Sequence, residues 1–304
     1  MTTLSNTPFV SVIIPVYNDD ARLNICLHRL SEQTYPHVEI IVVDNGSTDL
    51  SRVAAVVNRY PAAKLISEPK PGSYAARNTG IAHAKGDILA FTDADCLPVQ
   101  NWLACGVAQM KTHPDCGLIA GAIHIISQNH QHPVELYERI MALNQQKFVE
   151  QDQFGATANL LTRPDVFKSV GLFNAELKSS GDVDWGQRVF AAGYTQIYAD
   201  NVCIGHPARQ TFAQLAQQAS RHAGGFYQVR CQQHKSAITR QLTFFKLLGF
   251  HLMPPVMFAV NIARHPQLQT PMQVAKVVFT LIFIRAVIVK ALLRLKLGGM
   301  AQRA

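Results

Sequence analysis

Short apolar runs alternate with helical stretches through the first part of the chain, and this alternation limits the fold strongly. Residues 9–15 and 38–43 are rich in β-branched side chains, which is typical of strands buried inside a sheet. Between them, leucines recur at helical spacing over residues 20–33. This order predicts an α/β fold with a doubly wound, mostly parallel sheet and flanking helices.

The same alternation continues beyond the second strand. The expected strands are 64–67, 88–91 and 117–126, and the expected helices are 73–84, 102–111, 134–148 and 182–192, the last ending before Gly193. In the turn after the second strand, Ser47 or Thr48 is expected to cap a further helix. With 304 residues, the chain can form one large domain or one domain with an appendage.

Two aspartates, Asp93 and Asp95, follow the apolar run 88–92 directly. Carboxylates at this spacing suit a hard divalent cation, which takes its other ligands from water and substrate phosphates. Their position also fits the rule that open α/β sheets bind ligands beyond the carboxyl ends of their strands. The pair therefore predicts a site for Mn²⁺ or Mg²⁺, while two aspartates in a plain surface turn are the alternative.

Charge divides the chain at Asp200. All 20 acidic residues lie at or before this position, together with 15 Lys and Arg, so this part has a net charge of −5. Residues 201–304 contain 13 Lys and Arg and no acidic residue, so their net charge is +13. A basic tail of this kind can bind nucleic acid or an anionic membrane.

Two apolar runs, 242–260 and 274–293, favour the membrane. Tails that bind nucleic acid are polar, so we expect no nucleic-acid partner. Neither run is an uninterrupted membrane span of about 20 apolar residues, because basic residues and a pair of prolines break them. On a helical projection Arg285 falls opposite Lys290, which does not fit a simple amphipathic helix. Attachment to the inner leaflet and a pair of buried helices in a soluble protein therefore both stay open.

The cysteines and the N-terminal sequence bear on the location of the protein. Six cysteines form no CxxC pair, and no charged-then-apolar leader opens the sequence. Both features indicate a reducing cytosol. We therefore expect a peripheral or monotopic protein at the cytoplasmic face of the inner membrane, or else a protein free in the cytoplasm.

Five blocks of sequence together resemble the family 2 inverting glycosyltransferases of the GT-A fold. They are VSVIIPVYN (10–18), IIVVDNGSTD (40–49), GSYAARNTGIAHAKGDILAFTDADC (72–96), ANLLTRPDVFKSVGLFNAEL (158–177) and GDVDWGQRVFAAGY (181–194). The resemblance implies a GT-A domain over residues 1–225, followed by a basic hydrophobic helical tail over 226–304. It also implies metal-dependent transfer of a sugar from a nucleotide-sugar donor to an acceptor hydroxyl.

The resemblance assigns roles in donor and metal binding. It implies that Asp95 is the main metal ligand and that Asp93 contacts the ribose or the metal's water shell. His206 matches a position where many members carry a third metal ligand or a phosphate contact. Arg77 matches an arginine expected to contact phosphate.

The residues expected around the nucleotide base follow the first two strands. Pro15 and Tyr17 lie at the end of the first strand, and Asp44 and Asn45 lie at the end of the second. Many family members have Asp where Asn45 stands, which puts the base selectivity in doubt.

By the resemblance, Asp182 is the general base that removes the proton of the acceptor hydroxyl. The family has a Glu-Asp pair here, whereas this chain has Gly181 before Asp182. The missing Glu puts the support of the base in doubt, and Asp184 is the alternative base. The membrane-prone tail suggests a lipid-linked or envelope-polysaccharide acceptor. The alternative function, favoured only by Gly181, is a non-catalytic nucleotide-binding scaffold in a membrane glycan-assembly complex.

Overall fold

The computed structural model describes residues 4–141, 143–232 and 236–299, which fall into two compact units. Within the described part, unit 1 takes residues 4–124, 143–176 and 181–206. Unit 2 takes residues 125–141 and 177–180 and the described residues from 207 to 299. The expected domain boundary at residue 225 stays a prediction.

Unit 1 is built on a sheet of eight strands. They are β1 (Val10–Val16), β2 (Val38–Asp44), β3 (Ala63–Ser67), β4 (Ile88–Thr92), β5 (Leu97–Pro98), β6 (Cys116–Ile126), β7 (Asn159–Thr162) and β8 (Thr195–Pro207). The order across the sheet is β3-β2-β1-β4-β7-β6-β8-β5. β1 pairs in parallel with β2 and β4, and β2 pairs in parallel with β3. β7 runs antiparallel to β4 and β6.

Some of the helices belong to unit 1 with the sheet, and the others form unit 2. The helices are α1 (Asp20–Ser31), α2 (Leu50–Val57), α3 (Ser73–His83), α4 (Trp102–Thr112), α5 (Pro133–Met141), α6 (Gln145–Asp152), α7 (Pro164–Val170), α8 (Gly181–Ala191), α9 (Phe212–Phe226), α10 (Ala237–Leu252), α11 (Val256–Ala263) and α12 (Pro271–Lys296). A π-helical segment, Tyr227–Gln232, precedes α10. Helix α5 and helices α9 to α12 belong to unit 2. The predicted α/β fold with flanking helices and C-terminal helices is confirmed.

The apolar runs of the sequence form the interior of unit 1. Every residue of β4 is buried, and all of β1 is buried except Pro15, because helices cover the sheet. In β2 the last five residues, ending at Asp44, are buried. The strands that carry the predicted site residues are therefore rigid elements of the core.

Two local predictions were wrong. The expected helix 134–148 is divided into α5 and α6: Leu143 has a left-handed φ of 48°, and the side chain of Asn144 caps α6 by accepting from the Lys147 N–H at 3.0 Å. Residue 142 lies outside the described part of the chain. The cap of α2 is Asp49 rather than Ser47 or Thr48, since its carboxylate accepts from the Ser51 N–H at 3.1 Å.

Unit 2 is a helical unit organised around α12. The buried side of α12 contributes Val277 and Ile284 to two apolar clusters that also contain residues of α5, α9 and α10. None of the described helices, taken alone, has the length and apolar composition that a membrane span needs. Helices α10 and α11 together reach that length and composition, with a bend of 45° between them.

Candidate active site

The nine predicted site residues all belong to unit 1. Tyr17 follows β1, Asp44 ends β2, and Asp93 and Asp95 follow β4. Because β1, β2 and β4 are parallel neighbours, their carboxyl ends lie at the same edge of the sheet. This edge is the candidate active site.

The loops that follow β1 and β2 are bonded to each other through Asn18. Its N–H donates to the Ser47 hydroxyl at 2.8 Å, and its side-chain oxygen accepts from the Thr48 N–H at 2.7 Å. Asn18 has a φ of 51°, a left-handed conformation that Asn tolerates. The two loops are thereby fixed together, with the partly exposed Tyr17 beside them.

Asp44 and Asn45 shape the backbone at the end of β2. The Asp44 carboxylate accepts from the N–H groups of Gly46 at 3.0 Å and Ser47 at 3.2 Å. The Asn45 amide donates to the carbonyl of Lys70 at 2.8 Å and accepts from the Gly72 N–H at 2.7 Å. Both side chains are buried, so they organise the loops around the site. Their contact with the nucleotide base stays a prediction.

Arg77 and Asp93 form an ion pair at the end of β4. The guanidinium of Arg77 donates to the Asp93 carboxylate, and Arg77 is only 3% exposed, whereas the Asp93 side chain is 34% exposed. A buried cation that holds a partly exposed carboxylate fixes the orientation of that carboxylate and offsets its charge. The expected contact of Arg77 with phosphate stays a prediction.

Asp95 and His206 form the second close pair. Nε2 of His206 lies 3.8 Å from Oδ2 of Asp95, and His206 is buried while the Asp95 side chain is 23% exposed. The exposed Arg22 of α1 also reaches Asp95, at 3.5 Å. Arg22 was not predicted as a site residue, because nothing in its sequence context relates it to Asp95.

The ligand atoms of Asp95, Cys96 and His206 lie within 4.8 Å of one another, close enough to hold a metal ion. The Cys96 thiol is the least suitable of the three. Burial, followed by the charges of Asp93 and Asp95, raises its pKa well above the ordinary value. A protonated thiol is a poor ligand for a hard cation, so the carboxylate and the imidazole are the suitable donors.

Asp182, the predicted base, lies in the first turn of α8. The Tyr74 hydroxyl donates to Oδ1 of its carboxylate at 3.1 Å. Burial raises the pKa of Asp182 above its ordinary value, while the charge of Arg77 and the Tyr74 hydroxyl act in the opposite direction. Burial also raises the pKa of Tyr74 far above its usual range, so Tyr74 stays protonated and acts as the donor.

Gly181 provides the space for this arrangement. A Cβ atom at residue 181 would lie 2.7 Å from ring carbons of Tyr74, which is too close for any side chain. The Tyr74 ring therefore occupies the space beside residue 181, and its hydroxyl donates to Asp182. The feature that favoured a non-catalytic scaffold has this structural explanation.

Asp184, the alternative base, is engaged elsewhere. Its carboxylate pairs with Arg188 one helical turn later, at 3.1 Å. Arg188 in turn donates to the carbonyl of Leu172 at 2.8 Å, in the segment that precedes α8. Asp184 therefore has a structural role in anchoring α8, and Asp182 is the better candidate for the base.

Comparison with known proteins finds sequence relatives of this chain. The family described as Glycosyl transferase family 2 matches residues 11–171. The glycosyltransferase AglE of Haloferax volcanii is 37% identical over 276 residues, which cover 88% of this chain and 89% of that protein.

Two solved structures resemble this fold over most of the chain. The mannosyltransferase PcManGT from Pyrobaculum calidifontis, solved with GDP-Man and Mn²⁺, has a TM-score of 0.65 and 21% identity, covering 95% of this chain and 87% of that one. TarS of S. aureus has a TM-score of 0.51 and 20% identity, covering 80% of this chain and 42% of that one. At these identities the likeness concerns the fold.

Proposed function

The chain belongs to glycosyltransferase family 2, and we propose that it moves a sugar from a nucleotide-sugar donor to an acceptor hydroxyl with inversion at C1 of the sugar. The proposal rests on two pairs of neighbouring side chains in the candidate active site. Asp95 and His206 lie close enough together to bind one metal ion, and Tyr74 donates a hydrogen bond to Asp182, the proposed base. Inverting transfer needs a base for the acceptor hydroxyl, and a metal can act as Lewis acid on the departing diphosphate.

The residues present fit a divalent cation. Asp95 offers a carboxylate oxygen and His206 an imidazole nitrogen, 3.8 Å apart, so one ion can bind both. When bound, the cation neutralises the charge that develops on the departing diphosphate. Mn²⁺ in the PcManGT structure supports Mn²⁺ as the first ion to test, with Mg²⁺ as the alternative.

Asp93 is the residue we assign to the donor's ribose. Arg77 holds one of its oxygens from the buried side, and its exposed fraction leaves carboxylate surface for a hydroxyl of the donor. Tyr17 and Pro15 border the same edge at the end of β1, where the nucleotide base would lie.

Asp182 takes the proton of the acceptor hydroxyl while the oxygen of that hydroxyl attacks C1 of the sugar. The attack comes from the side opposite the diphosphate. The raised pKa of Asp182 makes it a stronger base than an ordinary aspartate, and Tyr74 holds the carboxylate in one orientation. In a single displacement the new bond forms on the face opposite the leaving group, so the configuration at C1 inverts.

We further propose that the acceptor is lipid-linked or part of an envelope polysaccharide, and that the enzyme works at the cytoplasmic face of the inner membrane. The basic, apolar C-terminal sequence supports this location, because it combines cations with two apolar runs.

Replacing Tyr74 with phenylalanine tests the support of the base. The Tyr74 hydroxyl stabilises the ionised Asp182, so its loss raises the pKa of Asp182 further. The base works when deprotonated, so the acid limb of kcat against pH should move to higher pH, with a smaller loss on the alkaline plateau. Tyr60→Phe is the matched control, since its hydroxyl binds Asn24 on α1. An unshifted acid limb in Tyr74→Phe would refute this role.

The function itself is tested by a donor screen on the purified protein. Nucleotide release is measured from a panel of UDP-, GDP- and dTDP-sugars with Mn²⁺ or Mg²⁺, with and without a lipid extract. We expect metal-dependent release from one donor and a further increase with lipid. Nucleotide binding without release from any donor would contradict the proposal.

A further inference from the structure

We infer that unit 2 docks on an anionic lipid bilayer through the exposed apolar sides of α10, α11 and α12, and that the turn between α10 and α11 enters the lipid. The docking surface consists of the exposed apolar side chains of these three helices and of this turn. The inference identifies the surface behind the membrane location, which is itself part of the proposed function. It depends on the exposure and charge of unit 2, not on the chemistry of unit 1.

Helix α10 has a second apolar side that faces solvent. Ile238, Leu242 and Phe245 are 73%, 57% and 61% exposed, and their spacing of four and three residues places them on one side of the helix. The packed side contains Phe244 and Leu247, which are 2% and 9% exposed. A helix of a soluble protein normally buries its apolar side and exposes a polar one.

The turn between α10 and α11 is the most exposed apolar segment of this surface. Leu252, Met253, Val256 and Met257 are 63%, 60%, 64% and 75% exposed. The two residues between them are prolines, which have no N–H group that needs a partner in lipid. Large contiguous apolar patches on a protein surface mark interaction sites.

Arg285 holds this turn from the inside of unit 2. It is 7% exposed, and its Nη1 donates to the carbonyl of Met253 at 2.6 Å. Its guanidinium lies 5.0 Å from the ring centroid of Phe250 and 5.3 Å from that of Phe258. The cation that made α12 look unsuitable as an amphipathic helix is therefore buried and fixes the position of the turn.

The exposed side of α12 is apolar along most of its length. Met272, Phe279 and Ile282 are 66%, 61% and 50% exposed, and they follow the helical repeat. Lys290 and Arg294 are exposed near its end. Cations beside an apolar helix side are the arrangement of helices that lie in the headgroup region.

Two other cations of α12 are used within unit 2. Lys276 donates to the carbonyl of Gln131 at 2.8 Å, and Lys296 donates to the side-chain oxygen of Gln241 at 2.6 Å. Lys296 also lies 5.1 Å from the ring centroid of Phe244. The helix therefore divides its charges between internal contacts and the exposed positions near its end.

Charge selects the occupant of the docking surface. The acidic residues of unit 2 are Glu135 and Glu138, which are 4% and 1% exposed, and residues 201–304 contain 13 Lys and Arg and no acid. A second copy of this chain would bring two basic surfaces together, whereas an anionic leaflet attracts each cation near it. The surface therefore fits anionic lipid.

Vesicle flotation tests the inference. The full chain should float with vesicles of phosphatidylglycerol and phosphatidylcholine, and less with phosphatidylcholine alone. Leu242→Glu combined with Phe245→Glu should weaken binding roughly tenfold or more, because two apolar side chains are lost from the lipid. Ile25→Glu on α1, also an exposed apolar position at 49%, is the matched control and should float like the wild type. A double variant that floats like the wild type would overturn the inference, as would a wild-type protein that forms dimers and ignores vesicles.

Insertion of the turn is read by fluorescence. The two tryptophans of the chain, Trp102 and Trp185, are fully buried, so the added fluorescence of Met257→Trp reports on the turn. Brominated phospholipids should quench that fluorescence, and lack of quenching would refute insertion.

Nucleotide release in detergent should be the same for the wild type and the double variant. Absence of release from both, with flotation as expected, would refute the proposed function and leave the docking surface standing.

Discussion

Asp95→Ala is expected to lower sugar transfer by about a thousandfold or more, because a metal held at the proposed site would lose a carboxylate ligand and could no longer serve as Lewis acid for the leaving diphosphate. Its carboxylate lies 3.8 Å from His206 Nε2, and its side chain is 23% exposed. The measurement is nucleotide release at saturating donor over a Mn²⁺ titration.

Asp93→Ala should also abolish turnover, through the loss of the carboxylate that Arg77 orients.

Asp115→Ala is the control for these two variants, since it removes an exposed carboxylate of unit 1 outside the candidate site. It should retain wild-type release. Full activity in Asp95→Ala or Asp93→Ala would disprove the assignment of that residue to the metal or donor site.

Asp182→Asn is expected to reduce transfer by roughly 10²- to 10⁴-fold, the usual contribution of a general base. The amide has nearly the shape of the carboxylate and can still accept from Tyr74, so donor binding should persist. Transfer and donor affinity are measured separately, by product formation and by titration of the donor.

Asp184→Asn is the matched control for the base. This change removes the charge that pairs with Arg188 while leaving the shape of α8. It should lower activity only modestly. If Asp184→Asn were inactive and Asp182→Asn were active, the assignment of the base would be wrong.

Much of the fold was predictable because buried parallel strands carry their own signal. β1, β2 and β4 are apolar runs ended by polar residues, and they stand within a few residues of the predicted bounds. β7 was not predicted. It has four residues, and its buried Asn159 side chain accepts from Trp102 Nε1–H and donates to the carbonyl of Val202. Such distant contacts leave no periodic pattern.

The site residues that directly follow a strand could be predicted from the sequence. Contacts between residues that are far apart in the chain could not. Asp93 and Asp95 follow β4 directly, so their position could be inferred from the sequence. Tyr74 lies 108 residues from Asp182, and the contact depends on the space left by Gly181. Gly181 indicated only that a Glu was missing, because a sequence does not show which ring fills the space.

The helices of unit 2 show the same limit. Arg285 interrupts an apolar run in the sequence, which predicts an imperfect amphipathic helix. In the structure it is buried against Phe250 and Phe258, so the exposed side of α12 remains apolar. A helical projection places a cation on a side of the helix but does not show what packs there.

The configuration of the product tests the central claim most directly. With the donor that the screen identifies, the anomeric configuration of the transferred sugar is determined by NMR on the isolated product. An α-linked donor should give a β-linked product, as a single displacement with Asp182 as the base requires. A product that retains the α configuration would contradict the account.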